Sequence, residues 1–210
     1  MVRDGELLGE AVYREERSHT RSLTQLVERV LADAGLGIAD VDALAVSIGP
    51  GSFTGLRVGL ALAKGIAFAG GLPIAAVPTL EALAWTAEAA PGEIVCAALD
   101  ARKQQVYAAL FTMTAGGPRR DTPDEALAPA TLAARLRPGC ILVGDAGDVY
   151  APMLGARAVL LPFATHHPRG GVVARLGWQR VRAGAGDPIG PLEPVYVRPP
   201  DAELPRTGSR

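Results

Sequence analysis

Cysteine and histidine are scarce in this chain of 210 residues, which contains two cysteines and three histidines. Both cysteines, Cys96 and Cys140, lie in short apolar runs, where a thiol behaves as a small hydrophobic side chain. We therefore expect both to be buried and reduced. His166 and His167 are adjacent, so they would point to opposite faces of an extended segment, and no His-Glu-x-x-His pattern occurs. The sequence thus offers no zinc-peptidase ligand set.

An excess of positive charge is also missing, because 21 Lys and Arg residues face 22 Asp and Glu residues and the net charge is −1. Sequence-independent binding of nucleic acid needs a basic surface, so we expect any contact with RNA to be indirect. The most hydrophobic stretch is interrupted by Lys64, and no charged-then-apolar leader is present. We therefore predict no membrane contact and a cytoplasmic location.

The most informative segment is Ile48-Gly-Pro-Gly-Ser-Phe-Thr-Gly-Leu-Arg-Val-Gly59. The apolar residues 43–48 before it are typical of a buried strand. Residues 54–68 after it have helical periodicity, and Gly70, Gly71 and Pro73 would end the helix. The sequence predicts a strand, a glycine-shaped turn capped by Ser52 or Thr54, and a long helix.

This predicted helix has two adjacent stripes of residues spaced four apart. One stripe is small and the other is larger: Gly55, Gly59, Ala63 and Ala67, then Leu56, Leu60, Lys64 and Phe68. Glycine inside a helix costs about 1 kcal/mol relative to alanine, so the small stripe needs a packing reason. Close packing on the chain's own sheet and contact with a partner's helix both remain open.

The same turn invites a phosphate-binding interpretation, because free N–H groups at a helix start attract anions. The strict motifs are absent. No Lys-Ser or Lys-Thr occurs, which excludes a Walker A loop, and a dinucleotide fingerprint would need glycine at position 54, where the chain has threonine.

The run Val46-Ser-Ile-Gly-Pro-Gly-Ser-Phe-Thr-Gly-Leu-Arg-Val-Gly-Leu60, followed by Val77-Pro-Thr-Leu-Glu-Ala-Leu83, resembles the TsaB family. That family comprises bacterial partners of the tRNA threonylcarbamoyl transferase TsaD, in the actin-like and Hsp70-like superfamily. The resemblance implies a two-lobed actin-like, ribonuclease-H-like α/β fold with mixed central sheets flanked by helices. We expect residues 1–92 to form the first lobe, residues 93–194 the second, and residues 195–210 to pack back on the first.

The resemblance also implies a function. It predicts a non-catalytic scaffold that binds TsaD and supports threonylcarbamoylation of the adenosine next to the anticodon, in tRNAs that read codons starting with A. The ATPase TsaE would be a further partner, and the chain alone would form a homodimer. The family joins subunits through first-lobe helices, which predicts these interface residues: Leu23, Val27, Val30, Gly55, Leu56, Gly59, Leu60, Ala63 and Phe68.

Two other functions compete with this one. An ATP-binding phosphotransferase or ATPase would fit the superfamily, with Asp100 and Gly144 at strand ends as weak nucleotide-binding candidates. We expect no tightly bound cofactor, and ATP with Mg²⁺ only at the level of the complex. A metallopeptidase is the third interpretation. The enzymatic paralogue of the TsaB family binds a metal through two histidines four residues apart on the corresponding helix, but here the position four residues after His19 is Leu23, so this site cannot form.

The N-terminus predicts an incomplete hairpin. Asp4-Gly5 is a strong turn signal and residues 6–13 read as a strand, but only three residues precede the turn. TsaB-like chains begin with an apolar strand and an Asp-x-Ser/Thr phosphate loop, which this sequence lacks. We therefore expect the native chain to start upstream of Met1.

Overall fold

The computed structural model describes residues 1–12 and 19–198, and the side chains of all of these except residues 19–22. The first half runs β1 (Val2–Arg3), β2 (Glu6–Leu7), α1 (His19–Asp33), a 3₁₀ turn (Ile38–Asp40), β3 (Leu44–Gly49), α2 (Phe53–Gly70), β4 (Ile74–Pro78) and α3 (Thr79–Ala84). The second half runs β5 (Ile94–Asp100), β6 (Val106–Thr114), β7 (Gly117–Arg120), β8 (Glu125–Leu127), α4 (Pro129–Arg135), β9 (Cys140–Val143), α5 (Ala146–Val149), α6 (Ala151–Leu154), β10 (Ala158–Leu160) and α7 (Gly170–Arg182).

The larger sheet has six strands in the order β10-β9-β5-β6-β7, with β8 also paired to β6. Strand β5 is parallel to β9 and antiparallel to β6, and β9 is parallel to β10. A separate parallel pair is formed by β3 and β4. The α/β class with mixed sheets is therefore confirmed.

Both faces of the larger sheet are covered, which explains its continuous apolar strands. Along β5, Val95 and Ala97 pack with Leu80 and Leu83 of α3 on one face. Cys96 and its neighbour Ala98 pack on the other face, with Cys140 of β9 and residues of α4. Both cysteines are buried and free, and burial raises the pKa of Cys140 to about 11.

Helices α2 and α7 cover the β3–β4 pair. Leu60 and Ala67 of α2 pack with Val46 and Ile74 of the strands, while Leu176 of α7 packs with Val77. Gly177 allows the close approach of α7, because a Cβ there would lie 2.3 Å from that of Ala45. Helix α7 thus packs on β3 and β4 although it falls within residues 93–194. The lobe boundary at residue 92 stays a prediction.

The N-terminal residues form a short hairpin in which Val2 pairs with Leu7 and Arg3 with Glu6. Asp4 and Gly5 have φ of 51° and 85°, the left-handed pair that this turn requires. The prediction that this hairpin lacks its first strand is therefore wrong, because the two-residue strand β1 is present. The predicted strand over residues 6–13 is also too long, because β2 ends at Leu7, and residue 13 lies outside the described residues.

Candidate protein-interaction surface

The turn before α2 is shaped as predicted. The Ser52 hydroxyl accepts a hydrogen bond from the Gly55 N–H at 3.3 Å and is the N-cap, while Gly71, with φ of 62°, ends the helix. Gly49 has φ of 118°, and a Cβ there would lie 2.6 Å from the Val195 carbonyl oxygen. Only glycine fits at that position.

Helix α2 is apolar and yet largely exposed. Leu60 and Ala67 are its only buried residues, and Phe68 near its end is 81% exposed. The exposed face follows helical spacing through Thr54, Arg57, Ala61, Gly65 and Phe68. Large apolar side chains that remain in water on such a face are typical of a protein-interaction surface.

By length and composition alone, α2 would also qualify as a membrane-spanning helix. The prediction that Lys64 breaks any such stretch is therefore wrong. The Lys64 ammonium donates to the carbonyl oxygens of Gly190 and Leu192, both at 3.0 Å, so it anchors the chain that follows α7 to this helix. The absence of membrane contact stays a prediction.

The small residues spaced four apart, Gly55, Gly59, Ala63 and Ala67, do not stay on one face of α2 but wind gradually around the helix. Positions four apart advance by about 40° per step relative to a full turn, because an α-helix has 3.6 residues per turn. The stripe consequently runs from the exposed Gly55 through the half-buried Gly59 and Ala63 to the fully buried Ala67. A Cβ at Gly59 or at Gly65 would meet nothing within 4 Å. Packing among the described residues thus gives no reason for glycine at these two positions.

Of the other predicted interface residues, Leu56 is half-buried over the turn and would contact a Cβ at Gly49. Leu60 is only 4% exposed and packs in the core with Val46 and Ile74. The predicted place of Leu60 in a partner interface is therefore corrected to a place in the core. It lies on the side of α2 that faces β3.

Helix α1 packs beside α2 and contributes a second half-buried face. Leu23, Val27 and Val30 are each half-buried, while Leu31 belongs to the core. The structure therefore places α1 next to α2 and leaves part of the surface of these three residues accessible. His19 lies in this helix, with its side chain outside the described residues.

An aromatic pair at the start of α2 was not among the predicted site residues. The rings of Phe53 and Tyr196 are 5.0 Å apart, and the Arg57 guanidinium lies 4.9 Å from the centre of the Phe53 ring. Tyr196 lies 143 positions after Phe53 in the sequence. The apolar Val195-Tyr196-Val197 pattern signals docking of the tail, but periodicity cannot identify the ring that it contacts.

The two weak nucleotide-binding candidates lie next to each other. Strands β5 and β9 are parallel, so Asp100, the last residue of β5, and Gly144, the residue after β9, lie at the same edge of the sheet. Asp145 accepts a hydrogen bond from the Asp100 N–H at 2.8 Å. Gly144 has φ of 114°, and a Cβ there would overlap the Ala98 carbonyl.

The Asp100 carboxylate already has partners within the chain. It accepts from the Arg102 N–H at 3.0 Å and from the Tyr150 hydroxyl at 3.2 Å, and it lies 3.3 Å from the Arg102 guanidinium. Burial, supported by the charge of Asp100, raises the pKa of Asp145. These contacts fit a turn-capping role for Asp100.

A separate cleft of about 490 Å³ lies between the hairpin, the end of α3 and the start of α7, and none of the predicted site residues lines it. At its edge, the Glu10 carboxylate accepts from the Gly171 N–H at 2.7 Å and from the Arg169 guanidinium at 2.6 Å. Burial acts to raise the pKa of Glu10, but these hydrogen bonds and the charge of Arg169 outweigh it and lower the pKa.

The described part of the chain holds no group of three or more His, Cys, Asp and Glu side chains that would suit a metal ion. The His166 Nδ1 lies 2.8 Å from the Thr165 hydroxyl, whereas the His167 ring packs edge-on against Phe163 at 6.0 Å. The two adjacent histidines therefore have different neighbours.

Comparison with known proteins finds a matching protein family and individual relatives of this chain. Residues 6–137 match the family described as TsaD, tRNA N6-adenosine threonylcarbamoyltransferase. The tRNA threonylcarbamoyladenosine biosynthesis protein TsaB of Haemophilus influenzae is 46% identical over 93 residues, which is 44% of this chain and 39% of that protein. The Bacillus subtilis TsaB protein is 29% identical over 210 residues, covering 97% of this chain and 90% of that one.

The fold has the same relatives. A crystal structure from Pseudomonas aeruginosa, described as similar to peptidase YeaZ, superposes with a TM-score of 0.73 at 29% identity, covering 87% of this chain and 85% of that one. The mixed sheets flanked by helices fit the actin-like fold. The chain therefore belongs to the family described by the tRNA N6-adenosine threonylcarbamoyltransferase TsaD, and within that family it is TsaB-like.

Proposed function

We propose that this chain is a non-catalytic scaffold subunit of tRNA threonylcarbamoyladenosine biosynthesis that binds the transferase TsaD through α2 and the adjoining face of α1. In that complex it supports modification of the adenosine next to the anticodon in tRNAs that read codons starting with A. TsaE is a further partner, and tRNA is contacted indirectly. The names of the H. influenzae and B. subtilis relatives support the pathway.

The observation that carries the proposal is the exposed face of α2. This 18-residue apolar helix has only two buried residues, and its aromatic residues Phe53 and Phe68 are 39% and 81% exposed. Gly65 lies on that face and the half-buried Gly59 on a flank of the helix, and no described residue occupies the space where a Cβ of either would lie. A second helix can approach closely where side chains are absent, and that approach would explain both glycines.

Two features support a scaffold over an enzyme. The Asp100 carboxylate is only 6% exposed and is occupied by Arg102 and Tyr150. Asp145 beside it is bonded to the Asp100 backbone.

Substitutions at Gly59 test the proposal without disturbing the fold. A Cβ at residue 59 would meet no described atom within 4 Å, and alanine and leucine both favour the helix by up to about 1 kcal/mol over glycine. We expect Gly59→Ala to co-purify with TsaD nearly as the wild type does. Gly59→Leu should weaken the complex at least ~10-fold by gel filtration and titration, because its side chain fills the space needed by the partner.

The melting temperatures of both variants serve as the control and should equal or exceed that of the wild type. An in vitro modification assay with TsaD and TsaE should lose most tRNA threonylcarbamoylation when this chain is omitted or replaced by the Gly59→Leu variant. If the Gly59→Leu variant bound TsaD as tightly as the wild type does, the proposal that α2 contacts TsaD would be refuted. Modification by the present chain without TsaD would refute the scaffold role.

A further inference from the structure

The residues Val195–Arg198, called here the C-terminal strap, contact two distant parts of the chain. At one end, the Val195 N–H donates to the Ile48 carbonyl at 2.7 Å, near the end of β3 and just before the turn that begins α2. The Tyr196 ring packs on Phe53 in the first turn of α2. Both rings remain about 40% exposed, so this end of the strap belongs to the accessible surface.

At its other end the strap holds the turn between β5 and β6. The Arg198 guanidinium donates to the Ala101 carbonyl and to the Gln105 side-chain oxygen, both at 3.1 Å. These two residues flank the turn on either side, and the Ala101 N–H donates to the Gln105 carbonyl at 3.0 Å. The Arg198 guanidinium therefore forms hydrogen bonds with the residue before the turn and with the residue after it.

The backbone of the β5–β6 turn has an unfavourable conformation that other contacts must stabilise. Arg102, Lys103 and Gln104 have φ of 61°, 51° and 56°, so three consecutive residues other than glycine are left-handed. Such residues persist where surrounding contacts determine their conformation. Asp100, which begins the turn, supplies one such contact through the Arg102 N–H at 3.0 Å. Arg198 supplies contacts that come from outside the turn.

We propose that the C-terminal strap couples the start of α2 to the β5–β6 turn, so that a change at Phe53 alters how tightly residues 101–105 are held. The coupling runs from the Phe53 ring to Tyr196, along two residues of backbone, and through Arg198 to Ala101. It is a property of the isolated chain and goes beyond the proposed function. A molecule bound on the aromatic end of α2 would change the turn that carries Asp100.

Hydrogen exchange of the full chain, followed by mass spectrometry of peptides that cover residues 101–105, tests the coupling. Arg198→Ala removes the bonds to the turn and should accelerate exchange there about fivefold or more. Phe53→Ala removes the ring under Tyr196 and should accelerate exchange at the same turn by a similar factor. Phe68→Ala is the matched control, since it removes an equally large exposed ring from the same helix.

The control should leave exchange in the turn unchanged. Unchanged exchange in Phe53→Ala would overturn the coupling, as would unchanged exchange in Arg198→Ala. Equal acceleration in all three variants would also overturn it, because that result would reflect general destabilisation. The measurement needs no partner, so failure of the chain to bind TsaD would leave its outcome intact.

Discussion

At the scale of single residues, the Asp100–Asp145 pair shows how a short contact between acidic residues is tolerated. The contact is made by a backbone N–H of Asp100 and a carboxylate oxygen of Asp145. The Asp100 carboxylate meanwhile interacts with Arg102, which offsets part of its charge. Burial still raises the pKa of Asp145, because a partly desolvated carboxylate prefers its neutral form.

Asp145 can be tested with two substitutions. Asp145→Asn keeps an oxygen that accepts the Asp100 N–H and removes the charge, so stability near neutral pH should be unchanged or modestly higher. Asp145→Ala leaves that N–H without its partner and should lower the free energy of unfolding by about 1–3 kcal/mol. Urea unfolding of both variants and the wild type measures these differences.

The raised pKa of Asp145 predicts the direction in which its contribution to folding stability changes with pH. Because folding raises the pKa of Asp145, protonation favours the fold, and this contribution is fully present below the ordinary aspartate range. It is lost as the pH rises through the raised pKa. Any advantage of Asp145→Asn over the wild type should therefore shrink as the pH is lowered, and an advantage that grew in acid would contradict the assignment.

At the scale of elements, α7 is fixed to two neighbours by one arginine. The Arg180 guanidinium donates to both carboxylate oxygens of Glu81 in α3, each at 2.9 Å. Its other terminal nitrogen donates to the Ala76 carbonyl at the outer edge of β4. The Ala76 N–H donates to the Asp187 carboxylate at 2.7 Å. Side chains thus cover the edge of a two-stranded sheet, which limits its pairing with other chains.

Arg180→Ala should lower the free energy of unfolding by about 2 kcal/mol. The substitution removes the charged hydrogen bonds to both Glu81 carboxylate oxygens and leaves the Ala76 carbonyl without this donor. Arg182→Ala is the matched control on the same helix, since Arg182 only lies over the Trp178 ring at 5.1 Å. That control should cost about 1 kcal/mol or less. Equal costs in urea unfolding would contradict the role given to Arg180.

The strand–turn–helix unit around Gly49 shows how far sequence reasoning reaches at this scale. The Ser52 cap and the Gly71 end were predictable, because capping depends on residues close in the chain. Thr79 is the first helical residue of α3, and its hydroxyl lies 2.7 Å from that of Ser47. That contact joins residues 32 positions apart, which local patterns do not reveal.

At the scale of the whole molecule, the described residues bury the sheets well but leave one side of α2 uncovered. Four of the large exposed apolar residues, Phe53, Phe68, Val195 and Tyr196, belong to α2 or the C-terminal strap. Stable protein interfaces bury about 1,600 Å² in total, and a helix pair from each partner can supply such an area. The predicted homodimer of the isolated chain would use this same surface.

We therefore expect the purified chain to self-associate in sedimentation velocity, with a dimer that grows with concentration. Phe68→Glu should shift the protein to monomer by placing a charge in the apolar contact, with at least a ~10-fold weaker association. Val159→Glu is the control, because Val159 is 55% exposed on β10 and away from α2. Equal dimer content in both variants and the wild type would refute the dimer surface.

The amino-acid sequence by itself determined the α/β class, the turn at Gly49 and the limits of α2, because these depend on periodicity, caps and glycine conformations within a few residues. It also carried the motif that relates the chain to its TsaB-like family. Only the tertiary structure decided that Leu60 faces the core while Phe68 faces solvent, and that Asp100 meets Asp145. Burial and contact are set by which elements pack together, and that packing depends on residues far apart in the chain.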